Sequence, residues 1–415
     1  MTGQTLYEQR ENRINTAIGL GRPDRVPFVP FVGMYPFQLS ALSAKEAYAD
    51  FQKATDSWVD FLAGAPLIDA LFGYHTILPI PSAVKKILDY RLVQYPGMEL
   101  PDNQSFQFVE KEYLKLADYE AFLHNPGDWL YRRMLPQVGG AFQGLAKLPP
   151  FDTVARGYQA MGGLVSAFAD DEIWKTVTTL REAGLEQLKA NAVIGAFLAR
   201  VTEMGFPNIA QGTITAPFDV ISDQLRGTIG AMKDTLRHPD KILAACDWAE
   251  GYQKNMIDFF KQIGAKCLFY PLHKGIDGFM SEAQFRKFYW PSLESCLKYA
   301  ASRGLVNFVL LEDAFDTRLE IIKDAAPGQI IYMCEKTDVT KAKKIMGQYA
   351  CIMGGLPISL LMTGRPAQIR DQVKKVLDEA AADGGFIMSN STSIDWCPQA
   401  NVEAYFQAVE DFGKY

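Results

Sequence analysis

From about residue 190 onward, short apolar runs alternate with longer stretches whose apolar positions recur with a helical period. PNIAQGTI precedes helical stretches at 223–232 and 239–263, and AKCLFYPL precedes one at 281–303. NFVLLED leads into 318–325, QIIYMCE into 339–347, ACIMGG into 366–383, and GGFIMSN into 401–415. A short apolar run is ambiguous alone, but repeated alternation with period-3.6 segments reads as βα units and a parallel sheet. Gly304, Gly328, Gly384 and Gly385 stand just before apolar runs, where a preceding helix must end and turn. With RVPFVPFVG as a first strand, the pattern predicts a (β/α)8 TIM barrel, with a doubly wound sheet as the competing arrangement.

The region from Tyr90 to Phe168 breaks this rhythm. It carries YPGMELPDNQSFQFVEKEYL, HNPGDW and KLPPF, rich in Pro, Gly and aromatics. The expected organisation is therefore one barrel domain over residues 1–415, with a lid-like insertion at about 90–168 that walls the active site.

Composition narrows the partners. A net charge of −6 argues against nucleic acid, whose phosphates need a basic face. The N-terminus is polar and no long apolar run occurs, so neither a membrane span nor a secretory signal is expected. Six dispersed cysteines without a CxxC pair point to reduced thiols and a cytoplasmic location. A homodimer is left open.

Three segments carry a family resemblance. NRINTAIGLGRPDRVPFVP, TAPFDVISDQLRG and GGFIMSNSTSIDWCPQANVEAYFQAVEDFGKY resemble the opening, the mid-barrel segment and the last strand with C-terminal helix of the uroporphyrinogen decarboxylase superfamily. The resemblance implies the barrel fold but not one reaction. Porphyrin decarboxylases of this superfamily carry an Arg-Gln-Ala-Gly-Arg segment after the first strand. Here that position reads Phe31-Val32-Gly33-Met34-Tyr35-Pro36-Phe37, with no arginine, and Asp56, Asp60 and Asp69 match no catalytic motif. A tetrapyrrole bearing eight carboxylates would find no cationic cluster there. The corrinoid-dependent methyltransferase branch holds zinc with a His-x-Cys and a later Cys. The corresponding strand keeps Cys334 but has Tyr332 for the histidine, and the later position falls near Ser391–Ser393, ahead of Cys397.

Side chains at the C-terminal ends of barrel strands converge on one mouth, so those ends are the places to look for chemistry. His273, Glu312 and Cys334 follow three consecutive strands and are zinc ligands by atom type, with zinc acting as a Lewis acid. The plainer reading makes Cys334 a buried small hydrophobe and Glu312 an ion-pair partner. Glu312, His273 and Asp219 are the catalytic candidates, with Asp219 expected to be exposed at the mouth. Tyr35, Phe37, Gln211, Tyr270, Tyr332, Ser389 and Ser391 are the candidate substrate contacts. Asp223 and Arg226, three apart, are expected to pair on a helix face. Asp316 and Asp338 are expected to cap the helices that follow them. Aromatics including Phe31, Phe72 and Tyr74 either wall an apolar pocket or belong to the core.

The expected function is that of a methyltransferase passing a methyl group from a small donor, preferably an aromatic methyl ether, to a separate corrinoid protein. No Asp-x-His-x-x-Gly motif is present, so cobalamin is expected on that partner rather than on this chain. The alternatives are a lyase acting on a carboxylic acid and a non-catalytic binding barrel.

Overall fold

The computed structural model describes residues 2–72, 78 and 80–415; Tyr74 and His75 lie outside the described residues. A small antiparallel ribbon pairs β1 (Val93–Gln94) with β2 (Gln107–Phe108). The main sheet is parallel and runs in chain order through β3 (Cys267–Leu272), β4 (Val306–Leu311), β5 (Ile330–Cys334), β6 (Cys351–Leu356) and β7 (Phe386–Asn390).

Three further extended segments close this sheet into a ring of eight. Residues 26–32 join β7, with Met388 N–H donating to Pro27 O and Val29 N–H to Met388 O. Residues 69–72 follow, tied by Asp69 N–H to Phe28 O at 2.8 Å and by Leu71 to Pro207 and Ile209. Residues 207–214 complete the circuit onto β3 through Gln211 N–H to Cys267 O and Phe269 N–H to Gly212 O. The (β/α)8 barrel predicted by the alternation is the fold observed.

The period-2 pleat divides the barrel side chains into two layers. Phe72, Phe269, Phe308, Leu310, Met333, Met353 and Ile387 fill the interior. Tyr270, Val309, Tyr332, Ile352 and Met388 point outward into the larger core shared with the helices.

The N-terminal Pro-Asp-Arg turn has a structural purpose. Arg13 pairs with Asp24 at 2.6 Å and with Asp69 at 2.5 Å, while Arg25 reaches the same Asp69 at 2.8 Å. Asp69 is fully buried and also accepts the Phe28 N–H, so this network locks the first barrel segment to the second. A buried carboxylate is tolerable only with such compensation.

The insertion contributes the ribbon, several short helices and the approach to a 33-residue helix, Asp171–Glu203. The ribbon's outgoing strand ties to the barrel through backbone bonds from Tyr113 and Leu114 to Leu225 O and through a Glu112–Arg226 ion pair.

Candidate active site at the barrel mouth

The site is assembled where β3 and β4 leave the barrel. Beyond β3 the chain enters His273 and Lys274, whose backbone N–H groups donate to the two carboxyl oxygens of Asp219 at 2.9 and 3.0 Å. Tyr289 adds a third donor, its hydroxyl 2.7 Å from Asp219 Oδ2. Asp219 is thus fully buried beneath the mouth rather than exposed in it, and it shapes the His273 turn. Burial and the neighbouring Asp223 push its carboxyl up to about 6, against the pull of His273 and its hydrogen bonds.

Asp223 faces the other side of His273. Its Oδ2 lies 2.5 Å from His273 Nδ1, and its Oδ1 lies 3.2 Å from Lys274 Nζ. Burial works against its charge, but those two cations hold the carboxyl below its ordinary value. The expected Asp223–Arg226 pair does not form. The segment Val220–Arg226 is a π-helix, whose i→i+5 bonding widens the turn and separates the i, i+3 faces. Arg226 instead bonds Asp234 at 2.7 Å and Glu112.

Glu312 comes from the end of β4, one residue before a sharp turn. Asp313 adopts φ 55°, a left-handed conformation that Asp tolerates better than most residues. Glu335 at the end of β5 accepts the Asp313 N–H at 2.6 Å, and Lys336 pairs with the Asp313 side chain at 2.7 Å. The turn aims Glu312 at His273, with Oε1 to Nε2 at 3.6 Å, an ion-pair distance too long for a direct hydrogen bond. The Glu312 side chain keeps 39 % of its surface open to the mouth. Partial burial raises its pKa to about 7; His273 opposes that rise, and Glu335, Asp219 and Asp223 add to it. For His273, burial disfavours the charge, but the Asp223 bond and the surrounding carboxylates outweigh it and lift the pKa to about 9. Near neutral pH the pair is an imidazolium beside a carboxyl group poised between its two states.

The barrel interior below this cluster is aromatic. Phe31 stacks on Phe72 with ring centroids 4.1 Å apart, and Phe72 meets Phe269 and Phe308, which lie four residues before His273 and Glu312 on β3 and β4. Ser389 projects to the interior side of β7, fully buried, and its hydroxyl has no hydrogen-bond partner. A separate open cleft of about 770 Å³ runs from Cys334 and Glu335 past Thr337 and Gly355 to Ser391, between the helices Val339–Met346 and Pro366–Val376, and neither His273 nor Glu312 lines it. Gly355, at φ 118°, keeps the end of β6 free of a side chain; an added Cβ would come 2.5 Å from Val376.

Other sequence candidates lie elsewhere. Cys334 shares the outward register of Tyr332, its thiol is buried, and burial raises its pKa strongly. It does not join His273 and Glu312, and among the described residues no three His, Cys, Asp or Glu side chains converge as metal donors. The predicted zinc set therefore does not fit the geometry. Tyr332 donates to Ile322 O at 2.6 Å behind the barrel wall, and Tyr270 is buried in that same outer layer. Gln211 sits at the opposite end of the barrel, accepting from Lys266 N–H at the start of β3. Tyr35 and Phe37 pack in the helix layer, with Tyr35 edge-on to Phe61. Ser391 accepts the Ile358 N–H at 2.9 Å and fixes the loop after β6. Asp316 caps no helix but pairs with Lys341 at 3.4 Å, whereas Asp338 caps Val339–Met346 as expected. Sequence reasoning missed Asp223, Lys274 and Tyr289 as site residues; the DVISDQLRG acids were visible, but their pairing with His273 depends on tertiary contact.

An eight-stranded barrel with an acid–imidazolium cluster at its C-terminal mouth and an aromatic interior below it has the layout of a barrel enzyme. The sequence model of the uroporphyrinogen decarboxylase family (URO-D) matches residues 183–412, and the chain belongs to that family. Among solved structures it is similar to a methyltransferase from Methanosarcina mazei, with a TM-score of 0.59 and 16 % identity over 97 % of this chain and 98 % of that one. At that identity the likeness speaks for the fold. No curated protein matches the sequence. No helix among the described residues is long and apolar enough to cross a membrane.

Proposed function

We propose that this chain is the donor-specific methyltransferase of a corrinoid-dependent system, working as one barrel unit in the cytoplasm and taking a methyl group from an aromatic methyl ether. The observation that carries the reading is the His273–Glu312 pair, at the ends of two strands whose interior rings, Phe269 and Phe308, pack on the Phe31–Phe72 stack. The ring of the donor lies against those aromatics. Its ether oxygen sits between His273 Nε2 and Glu312, whose 3.6 Å separation leaves both groups free to reach it. A reduced corrinoid, carried by a partner protein, supplies the nucleophile that accepts the methyl group. As the methyl–oxygen bond breaks, Glu312 passes its proton to the departing phenolate and the His273 imidazolium stabilises the developing charge. Asp223 keeps His273 protonated, and Asp219 with Tyr289 holds the turn in place.

The charge balance favours this over decarboxylation. The two cations of the site, His273 and Lys274, are already paired with Asp223, and Glu312 and Glu335 stand beside them, so a carboxylate substrate finds no unpaired cation where a neutral ether needs none. The test is incubation with a reduced corrinoid protein and a methoxyarene panel, followed by the cobalt absorption spectrum. Demethylation with phenol release supports the reading. Carbon dioxide release from an acid without any corrinoid, and no spectral change with any ether, overturns it.

A further inference from the structure

The long helix Asp171–Glu203 buries a single stripe: Ile173, Thr176, Ala183, Ala190, Phe197 and Val201. At roughly 100° per residue, Trp174, Val177, Leu185, Leu188, Ala192, Gly195 and Ala199 fall on the opposite face, with the exposed Arg181 among them. A surface helix ordinarily keeps that face polar. Here Trp174 is 60 % and Leu188 63 % exposed, and a Cβ added at Gly195 would touch nothing within 4 Å. Immediately before it, the helix Tyr158–Ala167 exposes Tyr158 and Val165, and Phe168 follows, also exposed. Among the described residues these side chains make a largely apolar exposed strip, the kind of surface that marks an interaction site.

The face is graded in size. Its N-terminal half carries Trp174, Val177, Arg181, Leu185 and Leu188, whereas its C-terminal half carries Ala192, Gly195 and Ala199. We propose that it pairs two copies of this chain as antiparallel helices about a twofold axis at Leu188. That arrangement lays Val177 of one copy over Ala199 of the other and Arg181 over Gly195, with Leu185 beside Asn191 and Ala192, while Leu188 meets its own counterpart. Bulk fills hollow on both sides of the axis, which is the self-complementarity a closed twofold contact requires. Parallel pairing would set bulky against bulky. A helix of this length spans about 50 Å and offers about 500 Å² along one face. The exposed 158–168 segment supplies the remainder toward the roughly 800 Å² per partner of a stable interface.

The inference stands apart from the chemistry at the mouth and is tested on the full-length protein by sedimentation and light scattering at tens of micromolar. The expected species has twice the 46.3 kDa chain mass. Leu188→Glu should convert it to a monomer with an unchanged circular-dichroism spectrum. Leu188→Cys should form a covalent dimer on mild oxidation, because a residue on the axis meets its own copy. Thr178→Cys, away from the axis, should not. All six native cysteines are buried, so the introduced thiol is the reactive one. A monomeric wild type, or a dimer that survives Leu188→Glu and gives no cross-link at Leu188→Cys, overturns the proposal.

Discussion

Asp223 Oδ2 lies 2.5 Å from His273 Nδ1, and this contact leaves Nε2 as the ring atom that faces Glu312. Asp223 acts through His273 and is a positioning residue. Replacing it with Asn removes a charge and weakens a hydrogen bond that both raise the His273 pKa, which should fall from about 9 toward its ordinary 6.5. Each unit lost corresponds to about 1.4 kcal/mol of imidazolium stabilisation, or about tenfold in its population at high pH. Asp223→Asn should therefore be mildly impaired at pH 6 and at least about tenfold slower at pH 8. NMR titration resolves it directly, since the chain has only four histidines. An unshifted His273 titration would remove Asp223 from the argument.

Glu312 is the proton donor in the proposed reaction, so its importance should scale with the basicity of the leaving group. Glu312→Gln should slow demethylation of an unactivated methoxyarene by about 10²- to 10⁴-fold, the usual span for general acid catalysis. With a nitro-substituted anisole, whose phenolate leaves without help, the loss should shrink by an order of magnitude or more. In the wild type, turnover of the unactivated donor should decline as pH rises through about 7, where Glu312 ionises. Equal losses for both donors would assign Glu312 to binding.

The same groups set how stability depends on pH. Asp219, Glu312 and His273 all have folded-state pKa values raised above their ordinary ones, to about 6, 7 and 9. The stability each contributes is complete below its unfolded value and is lost as pH rises through its folded value. The depressed Asp223 behaves oppositely and loses its contribution as pH falls. The urea midpoint should therefore drop between pH 5 and pH 9, and Glu312→Gln should raise it at pH 8 while leaving it little changed at pH 4. A midpoint for Glu312→Gln that tracks wild type at both values would show that Glu312 ionises without cost.

The barrel was legible because its signal is local and repeated: apolar strands of five or six residues alternate with periodic helices in the C-terminal half. The strand at 69–72 was not, since its ladder is short and begins on a buried Asp69 whose cost is met by Arg13 and Arg25, far away in sequence. Strand-end reasoning found His273 and Glu312. It failed for Cys334, Tyr332 and Tyr270, because the last residues of a strand alternate between the mouth and the outer wall, and one step of register decides which. Gln211 failed for another reason: the stretch around it lies at the entry of the barrel, and its apolar run continues to Ile214. Cys334→Ala consequently should leave turnover within about twofold and metal content unchanged, while costing about 1 kcal/mol of stability from the small cavity left behind. Stoichiometric zinc in the wild type that disappears in this variant would contradict the outward placement of the thiol.

Among the described residues the insertion's charged contact with the site is that of Glu110 with Lys274, and its role can be separated from the chemistry. Lys274 Nζ lies 3.2 Å from Asp223 and 3.6 Å from Glu110, just beyond β2. Glu110 also accepts the Thr228 N–H at 2.7 Å and the Thr228 hydroxyl. It therefore ties the ribbon to the helix that begins at Thr228 and to the cation beside the His273 turn. Partly exposed ion pairs contribute about 0–1 kcal/mol to stability, so Glu110→Ala should barely move the melting temperature. The effect should fall on access instead. With the ribbon released, KM for the donor should rise several-fold while kcat changes less, and protease cleavage between residues 101 and 106 should accelerate. Lys274→Ala should lower kcat as well, because it also removes a cation from Asp223. A Glu110→Ala variant with wild-type KM and wild-type cleavage would show that the ribbon does not close over the mouth.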